Sequence, residues 1–211
     1  MNEMRYLDEL IERFPVLEPV RGSVEEAYEI LRQCFALGHK LLAAGNGGSA
    51  ADSEHIVGEL MKGFVKRRQM PEDMAQRLID MDPEAGGKLA QSLQGALPAM
   101  ALSGHPALST AFLNDVDGEL AYAQQVWGYG QEGDVFLGIS TSGNAANIYY
   151  ALVAAKAKGM KVIGLTGRDG GRLAEHADAA VIVPEEETFK IQELHLPIYH
   201  GLCLMLEEYF F

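Results

Sequence analysis

Apolar residues along the 211-residue chain follow two alternating patterns, short runs and longer segments with helical spacing. The short runs predict buried strands, because a strand covered on both faces needs apolar side chains on both. These runs are KLLAA, LPAMALS, DVFLGIS, KVIGLTG and AAVIVP. Strands that alternate with helices are typical of a parallel sheet. The pattern therefore predicts an α/β fold, a three-layer sandwich in which a parallel five-stranded sheet is flanked by helices.

Helical spacing predicts the segments that cover this sheet. The first, over 3–14, places apolar side chains on one face at Met4, Leu7, Leu10 and Ile11. Ser23 and Glu26 form a capping box that predicts the start of a second helix, and Gly38 marks its end. A long apolar helix is predicted from about Thr188 to the last residues.

The segment 62–95 has the least regular pattern. It contains a basic cluster, Lys66 to Arg68, which we interpret as a solvated face, with a partner-binding surface as the alternative. A short helix is predicted over 73–80. The segment is too short to form its own core, so we interpret it as an irregular or partly helical excursion within a single domain, 1–211.

Composition narrows the classes of function. The net charge of −13 and the pI of about 4.8 argue against binding to nucleic acid through a general positive field. No apolar run is long enough for a membrane span, and the charged first 14 residues lack a signal-peptide core. The two cysteines, Cys34 and Cys203, lie in apolar helical contexts and are predicted to be buried thiols. A cytoplasmic protein is expected.

Two loops carry the strongest chemical signal, and each follows a predicted strand and precedes a predicted helix. Such loops lie at the ligand-binding edge of an open parallel sheet. Glycines allow close backbone approach, short hydroxyls donate hydrogen bonds, and helix N-termini favour anions. The candidate phosphate-binding residues are Asn46, Gly47, Gly48, Ser49, Ser140, Thr141, Ser142 and Asn144. Neither loop has the G-x-G-x-x-G or Walker pattern, so no nucleotide cofactor is expected. The alternative is two ordinary capped turns.

His55 and Glu59 lie four residues apart, on one face of the helix after the first loop. A glutamate held near a phosphate site is suited to act as a general base on a phosphosugar. The pair is also suited to bind a divalent metal, or it is a surface pair without function. On the last helix, Gln192, His195, Tyr199 and His200 interrupt the apolar run, which indicates either a lined cleft or hydrogen-bonded core residues.

Four stretches in this order resemble the sugar isomerase (SIS) family and, within it, the phosphoheptose isomerases. They are GNGGSAADSEH with GEL shortly after it, EGDVFLGISTSGNAANI, GLTGRDGG and IQELHLPIYH. The resemblance covers most of the chain. It implies the flavodoxin-like SIS fold and a homotetramer with active sites at subunit interfaces. It also implies isomerisation of sedoheptulose 7-phosphate to D-glycero-D-manno-heptose 7-phosphate through an enediol.

The resemblance also implies residue roles. The family's catalytic glutamate and histidine match Glu59 and His200. Its phosphate-binding residues match Ser49 and 140–142, an aspartate near the substrate matches Asp115, and Gln192 joins the substrate site. Some members hold zinc through positions that match His55, Glu59, Gln192 and His200.

The chain departs from the family pattern at three places. Ala145 stands where a serine is frequent, Met61-Lys62-Gly63 replaces Thr-Gly-Arg, and segment 62–95 is longer than usual. One alternative is therefore a non-catalytic phosphosugar-binding or partner-binding protein, similar to the protein that associates with the DnaA initiator. A phosphosugar lyase or etherase is another. Because both catalytic positions are filled, the isomerase is the leading hypothesis.

Overall fold

A five-stranded parallel sheet lies at the centre of the computed structural model, which describes residues 3–211. The first two residues of the predicted domain lie outside this described part. The strands are β1 (Leu41–Gly45), β2 (Ala99–Ala101), β3 (Val135–Ile139), β4 (Lys161–Thr166) and β5 (Ala179–Ile182). They are ordered β2-β1-β3-β4-β5, and all neighbours are parallel. The predicted α/β sandwich is confirmed, while its organisation as a single domain stays a prediction.

Ten α-helices surround the sheet within residues 3–211. They are α1 (Arg5–Arg13), α2 (Arg21–Ala36), α3 (Gly48–Met61), α4 (Glu72–Met81), α5 (Pro83–Ser92), α6 (Pro106–Asp115), α7 (Ala121–Tyr129), α8 (Ala146–Ala157), α9 (Gly171–His176) and α10 (Thr188–Phe210). Short 3-10 helices cover Pro15–Val20, Leu102–Gly104 and Gly118–Leu120. None of the α-helices within this part of the chain is both long and apolar enough to cross a membrane.

Successive side chains of the strands enter two different cores, one on each face of the sheet. In β1, Leu41 and Ala43 join the core beneath α1, α2, α3 and α10, whereas Leu42 and Ala44 join the core beneath α7, α8 and α9. Both cores are apolar, so the strands have no polar face, as their composition predicts. Cys34 and Cys203 are free and buried, as predicted, and burial raises the pKa of each thiol to about 12.

The predicted start of the second helix is wrong. The 3-10 helix Pro15–Val20 leads directly into α2, which begins at Arg21. The chain is therefore already helical at Ser23, and Val20 at the helix start has no side-chain cap. The capping-box pattern failed because the preceding turn, with a proline on each side of Val16-Leu17-Glu18, supplies the helix entry instead.

The basic cluster is also not the solvated face that the sequence predicts. Arg68 is 1% exposed and forms an ion pair with Glu207, at 2.8 Å between Nε and Oε1. Lys66 pairs with Glu208 at 2.9 Å. Only Arg67, between them, is exposed. The acidic partners lie about 140 residues away on α10, which is why local sequence does not reveal them.

The excursion at 62–95 is more regular than predicted, since it contains α4 and α5 as a helical hairpin. The two helices make their most extensive contacts with each other. Only Gly86 is buried in the hairpin, while Met74, Met81 and Leu89 are exposed. A Cβ atom at Gly86 would collide with the carbonyl oxygen of Leu78, so close packing of the two helices requires glycine there.

We predict that Gly86→Ala opens this hairpin without unfolding the sheet. The added methyl group forces α5 away from Leu78, at a cost of about 1–3 kcal/mol, and the hairpin has little other packing to hold it. Amide hydrogen exchange should therefore accelerate across 72–92 and remain slow in β1 and β3. The matched control is Gly87→Ala, because a Cβ atom at Gly87 would have no neighbouring atom within 4 Å. Equal exchange in the two variants would contradict the prediction.

Candidate active site

The two hydroxyl-rich loops lie side by side because β1 and β3 are neighbours in the sheet. Leu41 pairs with Val135 and Gly45 with Ile139, so the two strands end together. The chain continues from β1 to one edge of the sheet and from β3 to the other, which makes this pair the switch point where ligands bind in open α/β sheets. Ser49 and Ser140 are buried there, and Thr141 is half-buried.

A reciprocal amide pair joins the two loops. The side chain of Asn46 donates to that of Asn147 at 2.9 Å, and Asn147 donates back at 2.8 Å. Asn144, in contrast, turns toward its own loop and hydrogen-bonds to the carbonyl oxygen of Ser142 at 2.9 Å. The pair fixes the separation of the loops, so Asn147 is a site residue that the sequence analysis missed. Its position as the last residue of the second loop, STSGNAAN, could have indicated this role.

Helix α10 runs beside α3, and it brings the polar residues of the last helix to the site. The Gln192 amide lies so close to Gly48 that a Cβ atom there would be 2.7 Å from Nε2. Further along, Tyr199 and His200 contact residues of the middle of α3. His195 makes no hydrogen bond with these residues in the described part of the chain. It is fully buried, binds the Thr166 carbonyl at 3.2 Å, and burial lowers its pKa to about 4. His195 is therefore a core residue.

His55 lies between Glu59 and His200 and contacts both side chains, where these two helices pack together. His55 Nε2 lies 3.3 Å from Glu59 Oε1 and 3.4 Å from His200 Nε2. The Glu59 side chain is 13% exposed and also contacts Lys62 Nζ at 3.2 Å. The site thus combines a largely buried carboxylate with two imidazoles, side chains of the kinds that serve as general acids and bases in enzymes.

Electrostatics favour the neutral form of His200. Burial lowers its pKa, and the neighbouring His55 lowers it further. A neutral imidazole has one nitrogen that accepts a proton and one that donates, so it is suited to move protons between two oxygen atoms.

A buried tyrosine, Tyr199, contacts the ring nitrogen of His55 that does not face Glu59 and His200. The Tyr199 hydroxyl donates to Asp52 Oδ1 at 3.1 Å and also lies 3.1 Å from His55 Nδ1. Burial raises the pKa of Asp52, while the bond from Tyr199 opposes that rise. Asp52, His55 and Glu59 occupy one face of α3 at spacings of three and four residues, a pattern through which the sequence could have indicated Asp52.

The donors fit a zinc ion only in part. Two donors bound at ~2.1 Å to one tetrahedral zinc lie ~3.4 Å apart, close to the separations of His55 from Glu59 and His200. Gln192, however, is at Gly48, and no hydrogen bond within residues 3–211 joins it to these three residues. In the same part of the chain, no group of three or more His, Cys, Asp or Glu side chains is arranged around a metal-sized point. Of the four predicted ligands, His55 thus contacts Glu59 and His200, while Gln192 lies against Gly48 and the set is not assembled.

Asp115, a predicted site residue, makes no hydrogen bond with the other candidate site residues in the described part of the chain. It is exposed at the end of α6, and its side chain accepts a hydrogen bond from Asn114 at 2.7 Å. No hydrogen bond or ion pair within the described residues joins it to the two loops or to the His55–Glu59–His200 group. Its predicted contact with substrate stays a prediction.

Comparison with known proteins gives consistent matches. The family model described as the SIS domain matches residues 76–167. A phosphoheptose isomerase from a Nitratiruptor species is 40% identical over 195 residues, which is 92% of this chain and 90% of that protein. A phosphoheptose isomerase from Aneurinibacillus thermoaerophilus is 40% identical over 194 residues, covering 92% of this chain and 85% of that one.

Solved structures give the same result. A phosphoheptose isomerase from Neisseria gonorrhoeae superposes with a TM-score of 0.72 at 33% identity, covering 98% of this chain and 93% of that chain. One from Francisella tularensis superposes with a TM-score of 0.76 at 29% identity, covering 97% and 95%.

We predict that Tyr199→Phe raises the pKa of Asp52 further. The phenyl ring keeps the packing but removes the hydroxyl that donates to the Asp52 carboxylate, so burial acts without opposition. An NMR titration of the Asp52 carboxyl carbon measures the shift. The matched control is Tyr28→Phe, because the Tyr28 hydroxyl is buried and has no hydrogen-bond partner in the described residues. An unchanged Asp52 pKa in Tyr199→Phe would contradict the hydrogen-bond arrangement.

Proposed function

The chain belongs to the phosphoheptose isomerase family of SIS-domain proteins, and we propose that it converts sedoheptulose 7-phosphate to D-glycero-D-manno-heptose 7-phosphate. The observation that carries the proposal is the position of Glu59 and His200. Both contact His55, within 3.4 Å, and both lie on helices that begin at or contact the hydroxyl-rich loops.

The phosphate group is held by neutral donors in this proposal. Ser49, Ser140, Thr141 and Ser142 supply hydroxyls, and the N-termini of α3 and α8, whose N-cap residues make no side-chain cap, add a partial positive charge. Binding energy from the phosphate then positions the reacting carbons next to Glu59, where it lowers the barrier of the chemical step.

The reaction moves one hydrogen between neighbouring carbons. Glu59 takes a proton from C1 of the open-chain ketose, and the electron pair of that bond forms the C1–C2 double bond of an enediol. Glu59 then returns a proton to C2, while His200 moves a proton between the oxygens of C1 and C2 and assists ring opening. The neutral form of His200, which burial favours, can accept and donate in these steps.

A partner-binding protein without activity is the second candidate, and it is not favoured. The relatives above are named as isomerases, and this chain carries glutamate and histidine at both catalytic positions. The basic cluster that would serve a partner is largely occupied by Glu207 and Glu208 of the same chain.

Zinc is part of the proposal as a bound metal, held by His55, Glu59 and His200 with Gln192 as a fourth ligand. When bound, it would polarise the sugar oxygens. The donor types and the 3.3 and 3.4 Å separations support it, whereas the Gln192 amide lies against Gly48 and has no hydrogen bond to the group within the described residues.

A homotetramer with active sites at subunit interfaces is also proposed. Helix α10 leaves Phe189, Leu196 and Tyr209 exposed, and a cavity of about 290 Å³ between α1 and α10 opens beside His200. An apolar helix of this kind requires further burial.

We predict that light scattering at micromolar concentration finds four chains. A monomer at that concentration would contradict the proposal.

We predict that Glu59→Gln abolishes carbon-proton transfer but not substrate binding. The amide keeps the shape and loses the base, so turnover should fall by roughly 10²–10⁴-fold. Calorimetry with sedoheptulose 7-phosphate should show binding close to that of the wild type, because the phosphate is held by other residues. Solvent deuterium exchange at C1, followed by NMR, measures the central step directly.

The matched control is Glu54→Gln, on the same helix, where the carboxylate accepts a hydrogen bond from Ser103 at 2.8 Å. This control should keep wild-type turnover. If Glu59→Gln exchanges the proton at the wild-type rate, Glu59 is not the base. If it loses zinc and thermal stability together, with metal content measured on both proteins, the residue serves a structural metal.

A further inference from the structure

Arg68 uses its whole guanidinium group inside the protein. Its Nε donates to Glu207 Oε1 at 2.8 Å, its Nη1 to the Leu60 carbonyl at 2.6 Å, and its Nη2 to the Glu59 carbonyl at 2.8 Å. The Arg68 and Glu207 side chains are 0% and 1% exposed. The ring of Phe211 lies 4.7 Å from the guanidinium carbon. A buried charge satisfied in this way has a fixed position.

On one side, this guanidinium holds the end of the helix that carries the proposed base. Glu59 and Leu60 are in the last turn of α3, where carbonyl groups have no partner within the helix. A positive charge at this end is also favoured by the helix dipole. The Glu59 backbone therefore cannot shift without breaking a hydrogen bond to Arg68.

On the other side, the guanidinium holds the helix that carries His200. Glu207 follows His200 by seven residues, about two turns of α10, so the two side chains lie along the same side of the helix. The Glu207 carboxylate also accepts hydrogen bonds from the amides of Phe64, Val65 and Lys66, at 2.8, 2.9 and 3.1 Å. It thus fixes the chain that leaves α3 as well.

We propose that Arg68 is a positioning residue for the isomerisation, which sets the distance between Glu59 and His200 through its bonds to the α3 carbonyls and to Glu207. The inference rests on the proposed function. Arg68 does not reach the reacting atoms, since its three bonds go to Glu207 and to backbone. It acts through the two helices. A lysine has three donors on one nitrogen, which cannot reach acceptors that are placed to match the three separate nitrogens of the guanidinium.

The test is Arg68→Met and Arg68→Lys in the full chain, with sedoheptulose 7-phosphate as substrate. We expect kcat of Arg68→Met to fall ~10- to 100-fold, as displacement of a reacting group predicts. KM should change little, because the phosphate loops are not touched. Arg68→Lys should recover part of the lost kcat, since it keeps the charge beside Glu207. All rates are measured at a temperature where circular dichroism shows every variant folded.

Two controls separate positioning from stability. Lys40→Met breaks another ion pair to a buried carboxylate, Asp134, at the amino end of β1. It should lower the melting temperature and leave kcat unchanged. Arg67→Met removes the neighbouring exposed arginine and should change neither the melting temperature nor kcat. Amide hydrogen exchange at 59–61 should accelerate in Arg68→Met and not in Lys40→Met.

If Arg68→Met does not fold, Glu207→Gln provides the same test, because it keeps the size of the side chain and removes the ion pair, while its amide nitrogen, a donor, cannot accept the backbone bonds that one carboxylate oxygen receives. A variant that is folded, less stable and fully active, like Lys40→Met, would overturn the inference and leave the proposed function intact. A wild-type protein that converts no sedoheptulose 7-phosphate would overturn the proposed function itself, and with it the reaction that Arg68 serves.

Discussion

The side-by-side contact of α3 and α10 is the constraint on which the candidate site depends. Contacts follow both helices in the same order, from Gly48 with Gln192, through His55 with Tyr199 and His200, to the α3 carboxyl end, which Arg68 joins to Glu207. The helices therefore run in the same direction. The proposed phosphate loops lie at one end of this contact, the proposed proton-transfer groups in the middle, and the Arg68–Glu207 pair at the other end.

The order of the strands in the sheet places α3 and α10 beside the two loops. Because β1 and β3 are neighbours, the loops after them share one edge, and the helix after β1 starts from that edge. The close approach of Gln192 to Gly48 then fixes how far α10 can lie from the loop, since no side chain other than hydrogen fits between them. The loop, the base and the imidazoles are thus placed by backbone geometry and not by flexible side chains.

Charge explains a second feature of the site. A chain with a net charge of −13 repels anions at long range, yet the proposed substrate carries a phosphate. In the proposed phosphate site, the donors at the loops are hydroxyls, amides and helix ends, which attract the phosphate only at short range. The charged side chains that do enter the interior pair with each other, as Arg68 does with Glu207, so they add no field at the loops.

Local patterns in the sequence were enough to predict the strands, most helices and the two loops, because each depends on residues within a few positions of one another. The pairing of His55 with Glu59 followed in the same way from helical spacing. The hairpin helix α5 was missed because its sequence, PEAGGKLAQS, contains two adjacent glycines that disfavour a helix; packing against α4 requires one of them. The role of Tyr199 was not predictable because its partners are 144 and 147 residues away.

Arg68 shows most clearly what a single sequence leaves open. In a run of three basic residues, a solvated face is the ordinary expectation, and here Arg67 is exposed while Lys66 is half-buried. Arg68, the third residue of the run, is buried because it pairs with the Glu207 carboxylate. Removing either Arg68 or Glu207 would leave an uncompensated charge in the core, at a cost in folding free energy of about 3–5 kcal/mol. Because replacing a whole buried pair with apolar residues is often neutral for stability, the role of this pair is better explained by geometry than by stability. The three directional bonds of the guanidinium supply that geometry at the point where α3 and α10, which carry the proposed base and imidazole, are joined.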